Sequence, residues 1–514
     1  MAYRSLREFL ERLDREGELL RIREPVSLHL EMAALADRAA KQGGPALLFE
    51  SPVSGQGATP RAPHGSMPVV MNLFGTKRRT AWALSCDDVE DHADELRSLL
   101  KTAPPQGLWE KLKMLPKLGR LATMGPKHVS SGVVQDVVDR EPDVGALPIL
   151  TTWPHDAGPY VTLPQVITRD PESGARNVGM YRVQVLGPRR LAMHWQLHKT
   201  ATAHYRGYRK RGERMPVAIA LGGDPVLTYV ASAPLPPGID EYLFAGFLRG
   251  EAVRLVKCVS HDLEVPADAD LVIEGFVDTS APPVREGPFG DHTGFYSLAD
   301  DYPALDVTAI TRRLDPIYPA TVVGPPPAED LWMGGATGRL FLPMLQMVFP
   351  EILDMAFPAE GVFHNLCLLR MRKEFPGHAK KLMHGLWGSG QMSATKTLVV
   401  FDEDVDVQDT SQAAWRALAN VDARRDLVVV EGPVDVLDHA APHLGLGAKI
   451  GVDATRKWAE EGGREWPEPC VHPPEVVARM DALYDRLVPG AKPLRRPDIP
   501  LPPAAAWTPR KANS

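Results

Sequence analysis

Residues 177–199 read NVGMYRVQVLGPRRLAMHWQLHK. Two apolar-rich runs flank the turn GPRR, and the second alternates strictly, with Met193, Trp195 and Leu197 on one side and His194, Gln196 and His198 on the other. The alternation predicts a strand with one apolar face and one face of imidazoles and an amide. That polar face suits either solvent or a bound ligand or metal. In the first run Asn177 offers an oxygen ligand and Arg182 a planar fork for a carboxylate or phosphate. Five positions apart, they point to opposite faces of an unbroken strand, and Arg182 is then an ordinary surface residue. They line one site only if the backbone bends, for which Gly179 is the suited position.

Outward from this stretch, between about 125 and 325, the texture stays β-rich: VAIALGG, VLTYVAS, LVIEGFV and LDVTAITRR lie between turns. Several short strands at such intervals predict a barrel or sandwich rather than a βαβ sheet. One helix interrupts them, Glu241–Leu248, with Asp240 as its cap and Gly250 as its stop. Glu241 in the first turn is explained by the helix dipole or by a metal. Asn177, His198 and Glu241 together form a mixed N/O set suited to Mn²⁺ or Mg²⁺.

The flanks read as α/β. Ser5 and Glu8 form a capping-box pattern ahead of Leu6, Phe9, Leu10 and Leu13 at helical spacing. A strand at Leu19–Ile22, a helix around His29–Lys41, strands in GGPALLFESP and MPVVMNLFG, and helices near 88–102 and 107–119 follow, with a polar Gly/Pro-rich loop at 51–66. Beyond about 330, TLVVFDEDV and DLVVVEGPV resemble strands buried on both faces, with a helix over Thr410–Asn420 between them. GHAKKLMHGLWGS (377–389) is a helix start that suits an anion or solvent equally. A last helix, Pro474–Leu487, precedes a tail too proline-rich to pack a core.

Val284–Tyr296, VREGPFGDHTGFY, carries two carboxylates, Glu286 and Asp291, separated by Gly, Pro, Phe and Gly. Glycine and proline make this a shaped loop that must itself aim the acids. Either it is a tight turn whose acids face water, or it is an apolar setting that pushes their pKa values apart, one proton held and one charge kept, as proton delivery to a carbon requires.

Composition narrows the class. The 514 residues suggest roughly three to four domains or fewer large ones. An apolar fraction of 44% and a charged fraction of 24% are those of a soluble globular chain, and 49 prolines with 43 glycines argue against a helical bundle. The net charge of −7 argues against nucleic acid as a general partner. No apolar run is long enough to span a membrane, and the charged start lacks the core of a signal peptide. Cys86, Cys258, Cys367 and Cys470 are scattered without CxxC spacing, which predicts a reduced cytoplasmic protein with neither a disulfide framework nor a thiolate zinc site.

Nearly the whole chain resembles the UbiD-type decarboxylases, which use prenylated FMN. The resemblance runs through GGPALLFE, MNLFGT, LPILTTWPHDAGPYVT, NVGMYR, DEYLFAGFLRG, EGPFGDHTGFY and DATRKW. It implies an α+β fold with a central FMN-binding split β-barrel (125–328) between N-terminal (1–124) and C-terminal (329–472) α/β parts. A C-terminal oligomerisation helix and Pro-rich tail (473–514) complete it, in a dimer or hexamer. Asn177, His198 and Glu241 correspond to ligands of a divalent metal, usually Mn²⁺, that grips the cofactor phosphate, with a K⁺-like ion near Glu241 and the Ala231–Ser232 backbone. Met180, Tyr181, Arg182, His194, Trp195, Gln196, Lys199 and Thr200 correspond to cofactor-binding positions, and Arg182, Glu286 and Asp291 to the catalytic network. The implied activity is non-oxidative decarboxylation of an aromatic acid, with a flavin prenyltransferase supplying the cofactor. The wording of NVGMYRVQV and MHWQLHK, and Asp at 291, point to quinone biosynthesis: a polyprenylated dihydroxynaphthoate ahead of a polyprenylated 4-hydroxybenzoate, with at most peripheral membrane contact. An FMN-dependent oxidoreductase on the same barrel and a catalytically silent assembly partner are the other classes considered.

Overall fold

The computed structural model describes residues 2–54, 67–100, 123–197, 199–236, 238–464, 466–467, 470 and 472–489. The expected helix at 107–119, most of the 51–66 loop, His198 and the tail from 490 lie outside the described residues. Two compact units divide the chain, Met1–Leu340 and Phe341–Ser514.

At the start of the first unit the Ser5 hydroxyl accepts the Glu8 N–H at 3.2 Å, and the Glu8 carboxylate accepts the Arg4 N–H. The helix so capped, α1 (Leu6–Arg15), buries Leu6, Phe9, Leu10 and Leu13, the residues spaced for it. Strands β1 (Leu19–Ile22), β2 (Ala46–Phe49) and β3 (Val69–Met71) form a mixed sheet, β1 pairing parallel and β3 antiparallel to β2, with α2 (Glu31–Lys41) between β1 and β2 in the chain.

The central sheet is built from β4 (Val137–Asp139), β5 (Tyr160–Val161), β6 (Gln165–Arg169), β7 (Arg176–Gly179), β8 (Val183–Gly187), β9 (Arg190–Met193), β10 (Met215–Leu221), β11 (Leu271–Val277) and β12 (Ala304–Arg312). Its order is β7-β6-β10-β11-β12-β9-β8-β5, with β4 also on β12, and every pairing is antiparallel. A register shift at Glu274/Gly275 bends β11 where Gly275 closely approaches the Asp306 carbonyl. The chain then returns to the N-terminal sheet: Tyr318–Pro319 (β13) pairs parallel with β3. One apolar core joins both sheets, from Phe49 and Met71 to Ile219 and Ile273.

Three expectations are corrected. VLTYVAS is a helix (Pro225–Val230), not a strand, because the Asp224 carboxylate caps the Val226 N–H at 3.0 Å and Pro225 sits in the first turn. LAMHWQLHK leaves the sheet after Met193, where the Trp195 N–H turns back to the Met193 carbonyl at 2.8 Å. The alternation therefore fails, and Leu197 is 70% exposed while Trp195 is buried. In the second unit the sheet order is β14 (Ile352–Ala356), β15 (Leu366–Met371), β16 (Thr397–Phe401), β18 (Leu446–Asp453), β17 (Leu427–Pro433). DLVVVEGPV thus forms an edge strand with a solvated face, Val429 being 67% exposed. The helices Thr410–Asn420 and Pro474–Leu487 form as read, and the latter has no buried residue. Among the described residues no helix is long and apolar enough to cross a membrane.

Candidate active site

The bend that Asn177 and Arg182 require is present. Strand β7 ends at Gly179, β8 begins at Val183, and between them the Met180 N–H is held by the Ala231 carbonyl at 2.7 Å. A Cβ on Gly179 would collide with the Tyr181 ring, which folds back over it. Arg182 is thereby turned inward. Its Nε and Nη2 donate to the two oxygens of Glu286 at 2.8 and 3.0 Å, and its Nη1 binds Asp291. Its guanidinium also lies 5.0 Å over the Phe289 ring. Glu286 is fully buried and Asp291 nearly so, which excludes the reading of the loop as a turn facing water.

Neither acid keeps a proton in this arrangement. Burial alone raises a carboxyl pKa. Against it, His194 Nδ1, 2.9 Å from Glu286, and Arg182 bring Glu286 down to about 2. For Asp291 burial is likewise outweighed, by the His292 ring and backbone N–H at 2.9 Å and by Arg182, and its carboxyl lies well below the usual range. The expected splitting of the two acids is therefore absent, because each has its own histidine and the one guanidinium serves both.

Sequence reading missed what holds the loop. The Asp156 carboxylate accepts the Gly290 N–H at 2.8 Å and, with its other oxygen, Thr152 and Trp153. The Gln184 side chain accepts the Gly287 N–H at 3.0 Å. Gly290 lies flat against Trp153, where any Cβ would overlap the indole. The Tyr160 ring packs tilted against Phe289 at 4.5 Å and the Tyr302 ring tilted against His194 at 4.4 Å. Thr152, Trp153, Asp156 and Tyr160 all fall in TTWPHDAGPY, so the resemblance marked the segment without its mechanics.

The strand that carries Asn177 runs beside α4 (Glu241–Arg249), α3 being Thr200–Arg211. Asp240 caps α4 through the Tyr242 and Leu243 N–H groups and binds Arg176 at 2.8 Å. Arg176, next to Asn177, is thus tied to the helix start. Burial pushes Glu241 up to about 7. Buried polar atoms almost always have partners, yet Asn177 Nδ2, Glu241 Oε2, His194 Nε2 and Trp195 Nε1 have none among the described residues. Amide nitrogen and oxygen interchange by a flip, so Asn177 and Glu241 fit a hard cation. The first turn of α3, behind Lys199 and Thr200, has no side-chain cap and suits an anion. Gln196 is fixed by its carbonyl, which accepts the Thr202 hydroxyl at 2.7 Å.

Glu286 gives a pH test. Its folded pKa is depressed, so its stabilisation is complete above about pH 4.5 and is lost as pH falls towards about 2. Across that window the urea midpoint of Glu286→Gln should fall less steeply than that of the parent protein; equal slopes would contradict the ion network.

Comparison with known proteins agrees with this architecture. Residues 10–99, 127–326 and 331–454 match the N-terminal, Rift-related and C-terminal domains of 3-octaprenyl-4-hydroxybenzoate carboxy-lyase. An uncharacterised protein of Aquifex aeolicus (strain VF5) is 49% identical over 94% of this chain and 99% of its own. The UbiD-class enzyme HmfF from Pelotomaculum thermopropionicum, in complex with FMN, is 29% identical with a TM-score of 0.76, over 93% of this chain and 100% of that one. Sedimentibacter hydroxybenzoicus vanillic acid decarboxylase in its closed form is 25% identical with a TM-score of 0.79, over 95% and 99%. The chain belongs to the UbiD family of carboxy-lyases.

Proposed function

We propose that this protein removes CO₂ non-oxidatively from an aromatic acid, with prenylated FMN held through Mn²⁺ or Mg²⁺. The observation that carries this reading is the buried Arg182 shared between Glu286 and Asp291. The FMN bound by HmfF and the vanillic acid decarboxylase activity of the other relative support it. The curled antiparallel sheet serves as the flavin-binding split barrel. Asn177, His198 and Glu241 hold the metal, with a K⁺-like ion near Ala231–Ser232. Met180, Tyr181, Arg182, His194, Trp195, Gln196, Lys199 and Thr200 line the cofactor, which a flavin prenyltransferase supplies. The exposed helix Pro474–Leu487 joins subunits.

The prenylated flavin supplies the electron sink that a ring-carbon anion lacks. Arg182 orients the substrate. With Nε and Nη2 committed to Glu286, its Nη1 is the nitrogen a substrate carboxylate takes from Asp291. That exchange withdraws a cation from Asp291 and puts an anion beside it, and both changes raise its pKa. Asp291 then takes up a proton. After the bond between ring carbon and carboxylate breaks and CO₂ leaves, Asp291 delivers the proton to that carbon as general acid. Glu286, anchored by His194, keeps Arg182 aimed throughout.

The substrate assigned first is a polyprenylated dihydroxynaphthoate, with a polyprenylated 4-hydroxybenzoate second. Asp291 is one methylene shorter than Glu and leaves room for a fused ring, a difference of only about 1–3 kcal/mol. Phe295 and Leu298, on the same loop, stand exposed and suit an isoprenoid chain.

Asp291→Asn should keep cofactor content near the parent level and lower decarboxylation by at least about a hundredfold; turnover within a few-fold would remove Asp291 from this role. Glu241→Ala and His198→Ala should lose both metal and flavin, whereas Arg182→Ala should keep both and lose turnover. Elemental analysis and the absorption spectrum check this, and full occupancy in either ligand variant would refute the metal set. Holoenzyme given both acids at equal concentration should release CO₂ faster from the naphthoate; the reverse order would overturn the assignment of substrate.

A further inference from the structure

We propose a second metal site, for Zn²⁺, formed by Cys258, His261 and Glu274 on the central sheet. The scattered cysteines, without CxxC spacing, predict no thiolate zinc site, and the proposed site departs from that expectation. The turn after strand Arg254–Lys257 instead provides a Cys-x₂-His pair facing a carboxylate. Its hairpin closes through the Cys258 N–H to the Leu263 carbonyl at 2.8 Å. The turn wraps Glu274 on β11: Oε1 accepts the Val259 N–H at 3.0 Å, and Oε2 accepts the Ser260 N–H and hydroxyl at 2.8 and 2.7 Å. The Cys258 sulfur, a His261 ring nitrogen and a Glu274 oxygen all lie within 4.8 Å of one another.

The tautomer of His261 carries the inference. Nε2 lies 3.1 Å from the Val217 carbonyl, which can only accept, so the proton is on Nε2. Nδ1 is then a bare lone pair, buried and without a partner among the described residues. A ligating histidine is oriented this way, its far N–H fixed on a carbonyl. Cys258 is buried and in no disulfide, and Glu274 Oε1, with one bond accepted, keeps a lone pair. Thiolate and carboxylate together balance a divalent charge, and a thiolate favours Zn²⁺ over Mn²⁺ or Mg²⁺. Bonds of about 2.0–2.3 Å require the turn to tighten by roughly 1 Å. His261 is only partly buried, which leaves the ion a route in and a fourth position for water. The ion would stiffen the hairpin whose Glu264 binds Arg176 at 2.9 Å, next to Asn177.

Full-length protein, stripped with chelator and titrated with Co²⁺, tests this. The expected result is a thiolate-to-Co²⁺ charge-transfer band saturating at one equivalent and bleached by Zn²⁺. Cys258→Ser should abolish it, His261→Gln should weaken binding at least about tenfold, and Glu241→Ala should leave it intact, separating it from the cofactor metal. A folded parent protein with no band, or a band lost in Cys470→Ser but kept in Cys258→Ser, overturns the site. If Cys258→Ser does not fold, a folded His261→Gln with unchanged Co²⁺ affinity overturns it equally.

Discussion

A guanidinium with three nitrogens bound to two buried carboxylates is the constraint around which the first unit is arranged. Removing such charges from water costs several kcal/mol per ion, and their attraction offsets this only when geometry and further hydrogen bonds are good. The network is therefore a poor source of stability and has to be held by its surroundings. Glu286, with no exposed surface, depends on Arg182 and His194 together. The loop carrying both acids is fixed through its backbone, at Gly287 by Gln184 and at Gly290 by Asp156. Such clamping aims two side chains that no helix or strand periodicity could align.

The same unit breaks its own sheet twice to expose these groups to one another. Between β7 and β8, and again after β9, the backbone leaves the ladder, and each departure would strand an N–H. Met180 finds the Ala231 carbonyl and Trp195 turns back to Met193, so the breaks are satisfied. Once out of the ladder, Tyr181, Arg182, His194 and Trp195 are freed from strict alternation. His194 joins Glu286, while Trp195 packs near Tyr205 at 6.3 Å.

These departures mark where the sequence could be read and where it could not. The caps at Ser5 and Asp240, the stop at Gly250 and the bend at Gly179 rest on local chemistry, and each forms as read. The continuation of LAMHWQLHK and the burial of DLVVVEGPV depend on which strand lies next door, information that periodicity does not carry. VLTYVAS misled because its β-branched residues outweighed Asp224 and Pro225, whose capping decided the element. Asp156 and Gln184 were invisible as clamps because their partners are backbone groups more than a hundred residues away. Asp291 and Glu286 were found as a pair, but the His194 and His292 rings and the shared Arg182 that hold both pKa values low come together only in three dimensions.

Magnitudes show that the helix dipole does not govern Glu241. A carboxylate in the first turn of a helix gains about 0.3–1 kcal/mol from the dipole, and up to about 2 in partly buried settings. Its pKa nonetheless rises from 4.5 to about 7, which corresponds to roughly 3 kcal/mol against the charged form. Burial thus outweighs the dipole, the Val178 N–H and the more distant Arg176, whose own charge is already taken by Asp240 and Glu264. A surface cap explained by the dipole would show the opposite shift and no orphaned oxygen. Here Oε2 is buried without a partner among the described residues, and so is the Asn177 amide nitrogen. Under the proposed function, a cation held by these two residues would supply both missing interactions at once and restore the charge that burial otherwise suppresses.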